Sequence, residues 1–351
     1  MKICFFGIYD PGYSRNRVLA EGFRRLGHTV VHCRVDPRVH GGVRKYVALY
    51  SEYQKIKSES FGHVIVCFPG QTVVWLARIL FGKRIIFDAF LSLYDSAVFD
   101  RKMYGSYDPR AWRDWLYDKT SCTLARIVLI DTQAHIDYFH DTFGIPKEKF
   151  LRVWVGSDDT IFHPAGLQEA STFTVHFHGT FIPLQGLRYI IGAAEILRDE
   201  DVNFRIIGSG QDFSKIEVLV KGRNLSRVKL IGKMPLREIP ACIETAHVSL
   251  GIFGHTAKTQ RVIPNKVYEA MAMGKAIITA DTPALRELMP DLHAVVGVPA
   301  GDAEALADAI RSLRNDPMRR MQLGKDARTF FEARLLPERI VADLLAEISI
   351  P

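Results

Sequence analysis

The stretch Arg261–Thr279, RVIPNKVYEAMAMGKAIIT, carries the most structural information in the chain. Pro264 and Asn265 stand where an apolar run of helical spacing begins, and Asn265 is a good N-cap. The pattern predicts a helix over Asn265–Met273, leading into a strand at Ala276–Ala280. A helix start offers unpaired backbone N–H groups and a positive dipole end, and Lys266 adds a full charge. Together these are a recipe for holding a phosphate. The dipole contributes about 0.3–1 kcal/mol, so Lys266 and direct hydrogen bonds must supply the rest. Glu269 lies one turn deeper, among Tyr268, Ala270, Met271 and Ala272. A carboxylate in that company needs a partner, because an unpaired buried charge is costly. The two hydroxyls of a ribose would serve, and so would a core arginine.

Working outward, the same alternation of apolar strand and amphipathic helix runs through the chain. Toward the N-terminus of this stretch lie strands at Phe173–Phe177, Phe204–Ile207, Val228–Ile231 and Val248–Ile252, with helices at Leu187–Arg198 and Asp212–Lys221. Beyond it come helices at Ala303–Asn315 and Met318–Glu332. An earlier series has strands at Lys2–Gly7, Thr29–Cys33, Val64–Phe68, Arg84–Asp88, Arg126–Asp131 and Leu151–Val155. Its helices are Arg15–Leu26, Val73–Phe81 and Ala134–Phe143. Such alternation specifies parallel sheets covered on both faces. The polar stretch His163–Thr172 reads as the linker. The expectation is α/β, with two Rossmann-like domains, 1–165 and 170–333, and a final helix at 334–351. Ligands of such sheets sit at the carboxyl ends of the strands.

The chain has 351 residues, which suits two domains of roughly 150 residues each. The N-terminal apolar run ends at Asp10 and Pro11, too short for a signal core. No apolar stretch approaches the roughly 20 residues of a membrane span. Five cysteines without paired spacing predict reduced thiols and a cytoplasmic setting. The net charge is +7, and Arg15, Arg17, Arg24, Arg25, Arg34 and Arg38 crowd the first third. This is a solvated face or one that attracts anionic surfaces, including the inner face of a membrane. No nucleic-acid-binding signature accompanies it, so no nucleic-acid partner is expected.

Glycine-rich loops follow three strands: Gly7–Gly12, Gly179–Gly186 and Gly208–Gly210. They place permissive backbone at the rims of both sheets. The first lacks GxGxxG, which argues against a dinucleotide dehydrogenase. Asp199–Glu200–Asp201 falls between a helix and a strand and reads as a solvated turn. Asp158–Asp159 lacks further ligands. His176 and His178 share one face of a strand without an evident third ligand. No metal and no tightly bound cofactor are expected.

The order FHGTFIPLQG, FRIIGSGQ, VKLIGKMP and PNKVYEAMAMGKAIITADTPALREL resembles the nucleotide-sugar half of the retaining glycosyltransferases of family 4, whose fold is GT-B. Less distinctively, FPGQ (Phe68–Gln71), FDAFLSLYD (Phe87–Asp95), IDTQAH (Ile130–His135) and VGSDD (Val155–Asp159) resemble a bacterial branch. The resemblance implies that Glu269 binds the donor ribose and that Pro264, Asn265, Lys266 and Val267 meet the diphosphate. It places Gly208 and Ser209 near ribose or base, and Lys233 and Met234 beside the base. Gly179 and Thr180 stand in the donor-side loop, and Gly12 approaches the phosphate from the first domain. The last helix returns to the N-terminal domain.

Departures from the family pattern are informative. Arg261 stands where the family has a first glutamate, Gln185 replaces a basic residue, and Thr180 replaces an arginine. Lys266, Lys258 and Arg261 are therefore nominated to meet the diphosphate. Asp88 takes the place of a frequent histidine and is either a group that orients or deprotonates the acceptor hydroxyl, or a structural aspartate. The implied reaction moves a sugar from a nucleotide sugar to a sugar or lipid-linked glycan, with retention. In the family, a leaving phosphate oxygen is thought to take the acceptor proton. The competing readings are a GT-B sugar-nucleotide epimerase, with Asp88 and Asp95 as acid/base candidates, and a degenerate nucleotide-binding homologue.

Overall fold

A computed structural model describes residues 1–39 and 41–348. The chain divides into two compact units. One is Met1–Gly156 together with the segment that begins at Leu336, and the other is Ser157–Leu335. The division at Gly156 comes earlier than the linker read from the sequence, because Ser157 to Thr172 is tied to the second unit. There Glu244 accepts hydrogen bonds from the amides of Ala165, Gly166 and Leu167.

The first unit runs β1 (Lys2–Ile8), α1 (Ser14–Arg25), β2 (Thr29–Val35), α2 (Arg44–Ile56), β3 (His63–Val66), α3 (Val74–Phe81), β4 (Ile85–Phe90), α4 (Pro109–Leu124), β5 (Ile127–Ile130), α5 (Gln133–Phe143) and β6 (Phe150–Arg152). Its six strands are ordered β2-β1-β3-β4-β5-β6, and each pairing is parallel. Cys4, Phe6, Val66 and Phe87 face a core shared with Leu49, Val74, Cys122 and Phe139, from α2 to α5. The alternate residues Ile3, Phe5 and Ile65 face α1. Period-two alternation thus feeds two helical layers from one sheet.

The second unit repeats the plan with β7 (Phe173–His178), α6 (Leu187–Ile196), β8 (Val202–Ile207), α7 (Phe213–Gly222), β9 (Val228–Ile231), α8 (Ile239–Glu244), β10 (Val248–Leu250), α9 (Asn265–Ala272), β11 (Ala276–Ala280), α10 (Pro283–Leu288), β12 (Val296–Val298), α11 (Ala303–Asn315) and α12 (Pro317–Arg334). The order is β12-β11-β10-β7-β8-β9, again all parallel. The final helix α13 (Pro337–Ile348) packs on α1, burying Ile340, Val341 and Leu344 in the first unit's core. The approach is close at Gly22, where a Cβ would stand 2.2 Å from the Pro337 carbonyl oxygen. Any side chain there would push the two helices apart.

Helices α2 and α4 were not legible in the hydrophobic pattern. The sole buried residue of α2 is Leu49, and α4 buries Asp114, Asp118 and Ser121 where apolar residues would be expected. All five cysteines are free thiols, four of them buried. No described helix is long and apolar enough to cross a membrane.

Candidate functional site

The parallel strands of the second unit bring their carboxyl ends to one edge, and the loops after β7 and β8 lock together there. The Gly179 amide donates to Ile207 O at 3.0 Å, and the Phe181 amide donates to Ser209 O at 2.9 Å. Gly208, at φ +144°, lies so close to the first loop that a Cβ would fall 1.9 Å from Gly179 O. Its glycine requirement therefore comes from this loop-on-loop packing before any ligand is considered. Thr180, Ser209 and Lys233 are exposed along the rim, and Met234 is half-buried with its sulfur 3.7 Å from Cys242 Sγ.

Helix α9 starts at the same edge. Its N-cap is Pro264, held extended at φ −73° and ψ 148°, so Asn265 is the first helical residue and not the cap. The proline ring fixes the entry angle, and the first-turn amide of Val267 folds back to Pro264 O at 3.0 Å. No side chain caps the helix. Its leading amides thus remain the anion-favouring end that the sequence suggested.

Lys266 is buried rather than extended into solvent. Its Nζ donates to Gln185 Oε1 and lies 4.5 Å from the centroid of Phe177. It also lies beneath the first loop, within 3.0 Å of where a Gly179 Cβ would be. Burial lowers its pKa to about 7, with the Glu269 carboxylate pulling the other way. Gln185 thus meets an ammonium delivered from α9, at the corner where the resemblance led us to expect a cation at position 185. Arg261, half-buried, ends the short 3-10 turn Ala257–Arg261, and Lys258 in the same turn is buried.

Glu269 is paired with a histidine rather than an arginine. Its Oε2 accepts from His178 Nε2 at 2.6 Å, and His178 Nδ1 lies 2.9 Å from His176 Nε2. His176 is fully buried, and burial holds it well below the ordinary histidine range, so it is neutral. With His176 Nε2–H donating to His178 Nδ1, His178 Nε2–H is left to donate to Glu269, and both contacts are satisfied. The two histidines were legible as neighbours on one strand face, but their target, 91 residues away on α9, was not. Replacing His178 by alanine should free the Glu269 carboxylate to swing. Losing a charge-assisted hydrogen bond of about 1.5–3 kcal/mol then weakens nucleotide binding by roughly tenfold or more. Titration calorimetry with ribo- and 2′,3′-dideoxynucleoside diphosphates checks this, and equal losses for both would remove the histidine from the ribose contact.

Asp88 and Gly12 belong to the first unit. Asp88, within β4, is fully buried, with guanidinium nitrogens of Arg15 at 3.0–3.1 Å from its oxygens. Of the two readings of Asp88, the geometry matches the structural one: its carboxylate is taken up by a buried arginine. Arg15 Nη1 continues to the carbonyls of Val153 and Trp154 at 2.6 and 3.0 Å, tying α1 to the chain after β6. The Gly12 amide is engaged by Asp10 Oδ1 at 2.8 Å. A cavity of about 390 Å³ in this unit is lined by Thr72, Leu93, Arg101, Arg113, Asp114 and Tyr117 among others.

Two members of the acidic triplet are ion-paired, Glu200 with Arg311 and Arg314 and Asp201 with Arg227, and Asp199 is exposed. Among the described residues, no three His, Cys, Asp or Glu side chains gather as metal ligands.

Residues 159–330 match the family model of the glycosyl transferases group 1. The matched segment takes in most of the second unit, Ser157–Leu335. The whole chain is similar in fold to two solved proteins. For the Anabaena protein HepE in complex with UDP-glucose, the TM-score is 0.74 at 16% identity, covering 99% of this chain and 100% of that one. For a sucrose-phosphate synthase of Thermosynechococcus elongatus the TM-score is 0.74 at 16% identity, covering 99% and 98%. Both six-stranded parallel sheets, each flanked by helices, are those of the GT-B fold. Among curated proteins, an uncharacterized glycosyltransferase of Methanocaldococcus jannaschii is 26% identical over 52% of this chain and 49% of its own length. The alpha-D-kanosaminyltransferase of Streptomyces kanamyceticus is 27% identical over 68% and 62%. The chain thus spans about half to three-fifths of the length of these relatives. Helix α9 and the loops after β7 and β8 all lie inside the matched segment.

Proposed function

We propose that the protein is a retaining glycosyltransferase of the family 4 type, moving a sugar from a nucleoside-diphosphate sugar to the hydroxyl of a sugar or lipid-linked glycan. The observation that carries this reading is the placement of Glu269 one turn inside an uncapped helix start, oriented by His178, with the Lys266 ammonium at the same edge. In this reading the ribose hydroxyls donate to Glu269, and the diphosphate takes the leading amides of α9. Lys266, Lys258 and Arg261 supply positive charge, and Thr180, Ser209, Lys233 and Met234 border the nucleoside. The chain's work is then positioning the donor and stabilising the charge that develops on the departing diphosphate. With Asp88 committed to Arg15, the acceptor proton goes to a leaving phosphate oxygen, which needs no enzymic base. The same pairing weighs against the epimerase, whose acid/base pair would have included Asp88. No metal step is invoked, and the proposed setting is cytoplasmic.

Thermal-shift screening against UDP, GDP, ADP and dTDP tests the donor site, since a ligand that binds only the folded state raises its melting temperature. At a hundredfold excess over its dissociation constant, the matching nucleotide stabilises by about 2.7 kcal/mol. UDP is the first choice, because HepE is similar in fold and binds it. A Glu269→Ala protein should lose the shift. No shift with any nucleotide would end the proposal, and a shift without donor turnover in the presence of glycan acceptors would leave a binding module.

A further inference from the structure

The outer surface of the first unit's α2–α5 layer is unusually apolar for a face that meets solvent. On α2, Val43, at the N-cap, Val47 and Tyr50 are exposed at helical spacing, Val47 at 65%. On α3, Trp75 and Ile79 form an i, i+4 pair, exposed at 46% and 71%. On α4, Trp112 and Leu116 do the same at 62% and 52%. The three helices are neighbours. The Tyr46 and Trp75 rings lie 6.0 Å apart, Tyr53 of α2 hydrogen-bonds the Leu80 carbonyl of α3, and α3 touches α4. Their inward residues, Leu49, Val74, Ala77 and Cys122, share one core, so the outward stripes share one surface. Met103 and Tyr107, in the loop leading into α4, are also exposed.

The polar residues around these stripes are strongly biased in sign. Segments 43–57, 74–84 and 101–124 hold twelve Lys and Arg against four Asp and Glu, and two of the four acids, Asp114 and Asp118, are buried. Exposed aromatic and aliphatic residues gathered on three neighbouring helices mark an interaction site. The chemistry of the occupant follows from the combination. Tryptophan and tyrosine favour the boundary between hydrocarbon and polar headgroups. Lysine and arginine alongside aliphatic residues are what an interfacial helix presents to anionic lipid. A second copy of the same face would set cation against cation, which disfavours self-association.

We propose that the outer face of α2, α3 and α4 is a membrane-binding surface that lies on anionic phospholipid. The proposal stands apart from the transferase reading, because every residue it uses is in the first unit and none belongs to the donor site. It goes beyond a general attraction of a basic chain to anions by assigning the contact to three helices and requiring their apolar residues to enter the bilayer boundary.

The test is co-sedimentation of the full chain with large vesicles of phosphatidylcholine alone or mixed with phosphatidylglycerol, at low and high salt. Binding is expected to the anionic vesicles at low salt, with a large fall as salt screens the lysines and arginines. The double variant Ile79→Glu, Trp112→Glu should reduce the bound fraction about tenfold or more, since both side chains are exposed and one charge replaces each apolar contact. Its melting temperature and its nucleotide-induced shift should match the parent, which separates this surface from the donor site. Equal recovery in the supernatant with both vesicle types would overturn the proposal, as would vesicle binding indifferent to the double variant. A concentration-dependent dimer that the same variant dissociates, without vesicle binding, would assign the face to a second copy instead and also overturn it.

Discussion

Replacing Asp88 by alanine is expected to destabilise the first unit by about 3–5 kcal/mol, the cost of stranding a buried arginine. Arg15 has no exposed surface, and its guanidinium is shared between the Asp88 carboxylate and the carbonyls of Val153 and Trp154. Removing the carboxylate leaves a desolvated cation with only backbone dipoles and the Phe90 ring, 5.6 Å away, to answer it. A double variant that makes both positions apolar should recover most of the loss, because the pair is dear to break and cheap to replace. All four tryptophans, Trp75, Trp112, Trp115 and Trp154, lie in the first unit, so the fluorescence change in a urea titration reports that unit alone. An Asp88→Ala midpoint equal to that of the parent would show that Arg15 finds another anion. It would also reopen Asp88 to a role in catalysis.

The second large effect concerns Lys266. Substituting methionine, which keeps the length and removes the charge, should slow sugar transfer by roughly 10- to 100-fold. A charge-assisted hydrogen bond to the departing diphosphate contributes about 1.5–3 kcal/mol. The lysine's lowered pKa gives a signature that simple disruption would not. In the free protein the amine loses its proton at about pH 7. The ratio kcat/KM should therefore fall as pH rises through that value, and the methionine variant should lack this limb. Binding of an anionic diphosphate favours the charged amine, so nucleotide binding above pH 7 should take up a proton. Calorimetry in buffers of different ionisation enthalpy reads that uptake. The folding linkage has the opposite sense to that of a lysine gaining a carboxylate. Between about pH 7 and the ordinary lysine range, the unfolded chain binds the extra proton, so this residue's contribution to stability improves with rising pH. Near-normal turnover of the methionine variant would place Lys266 outside the diphosphate contact.

The fold was largely legible because parallel sheets write themselves as apolar runs separated by amphipathic helices, and both sheets did so from Lys2 to Ala280. Helices α2 and α4 escaped because their outward faces carry the very apolar and cationic residues that blur the period. Within the site, α9 and its acidic residue could be read locally, as the helix start and Glu269 fall within six residues of Pro264. Contacts across elements could not. The partner of Glu269 is on β7, the partner of Lys266 is Gln185 after β7, and Asp88 meets an arginine 73 residues earlier. The pleat puts His176 and His178 on the same face, but only the three-dimensional packing says which carboxylate that face meets. The Gly208 loop shows the converse. A glycine that looks made for a phosphate is already required by the backbone of a neighbouring loop.

Helix α13 has a consequence for the order in which the protein comes into being. Its residues complete the layer over α1, yet they are synthesised after the entire second unit. On the ribosome, the second unit can therefore close while Phe23 and Val18 still lack their cover. The half that is translated first must mature last, and until then it presents a greasy flank to whatever chaperone or neighbouring nascent chain is at hand.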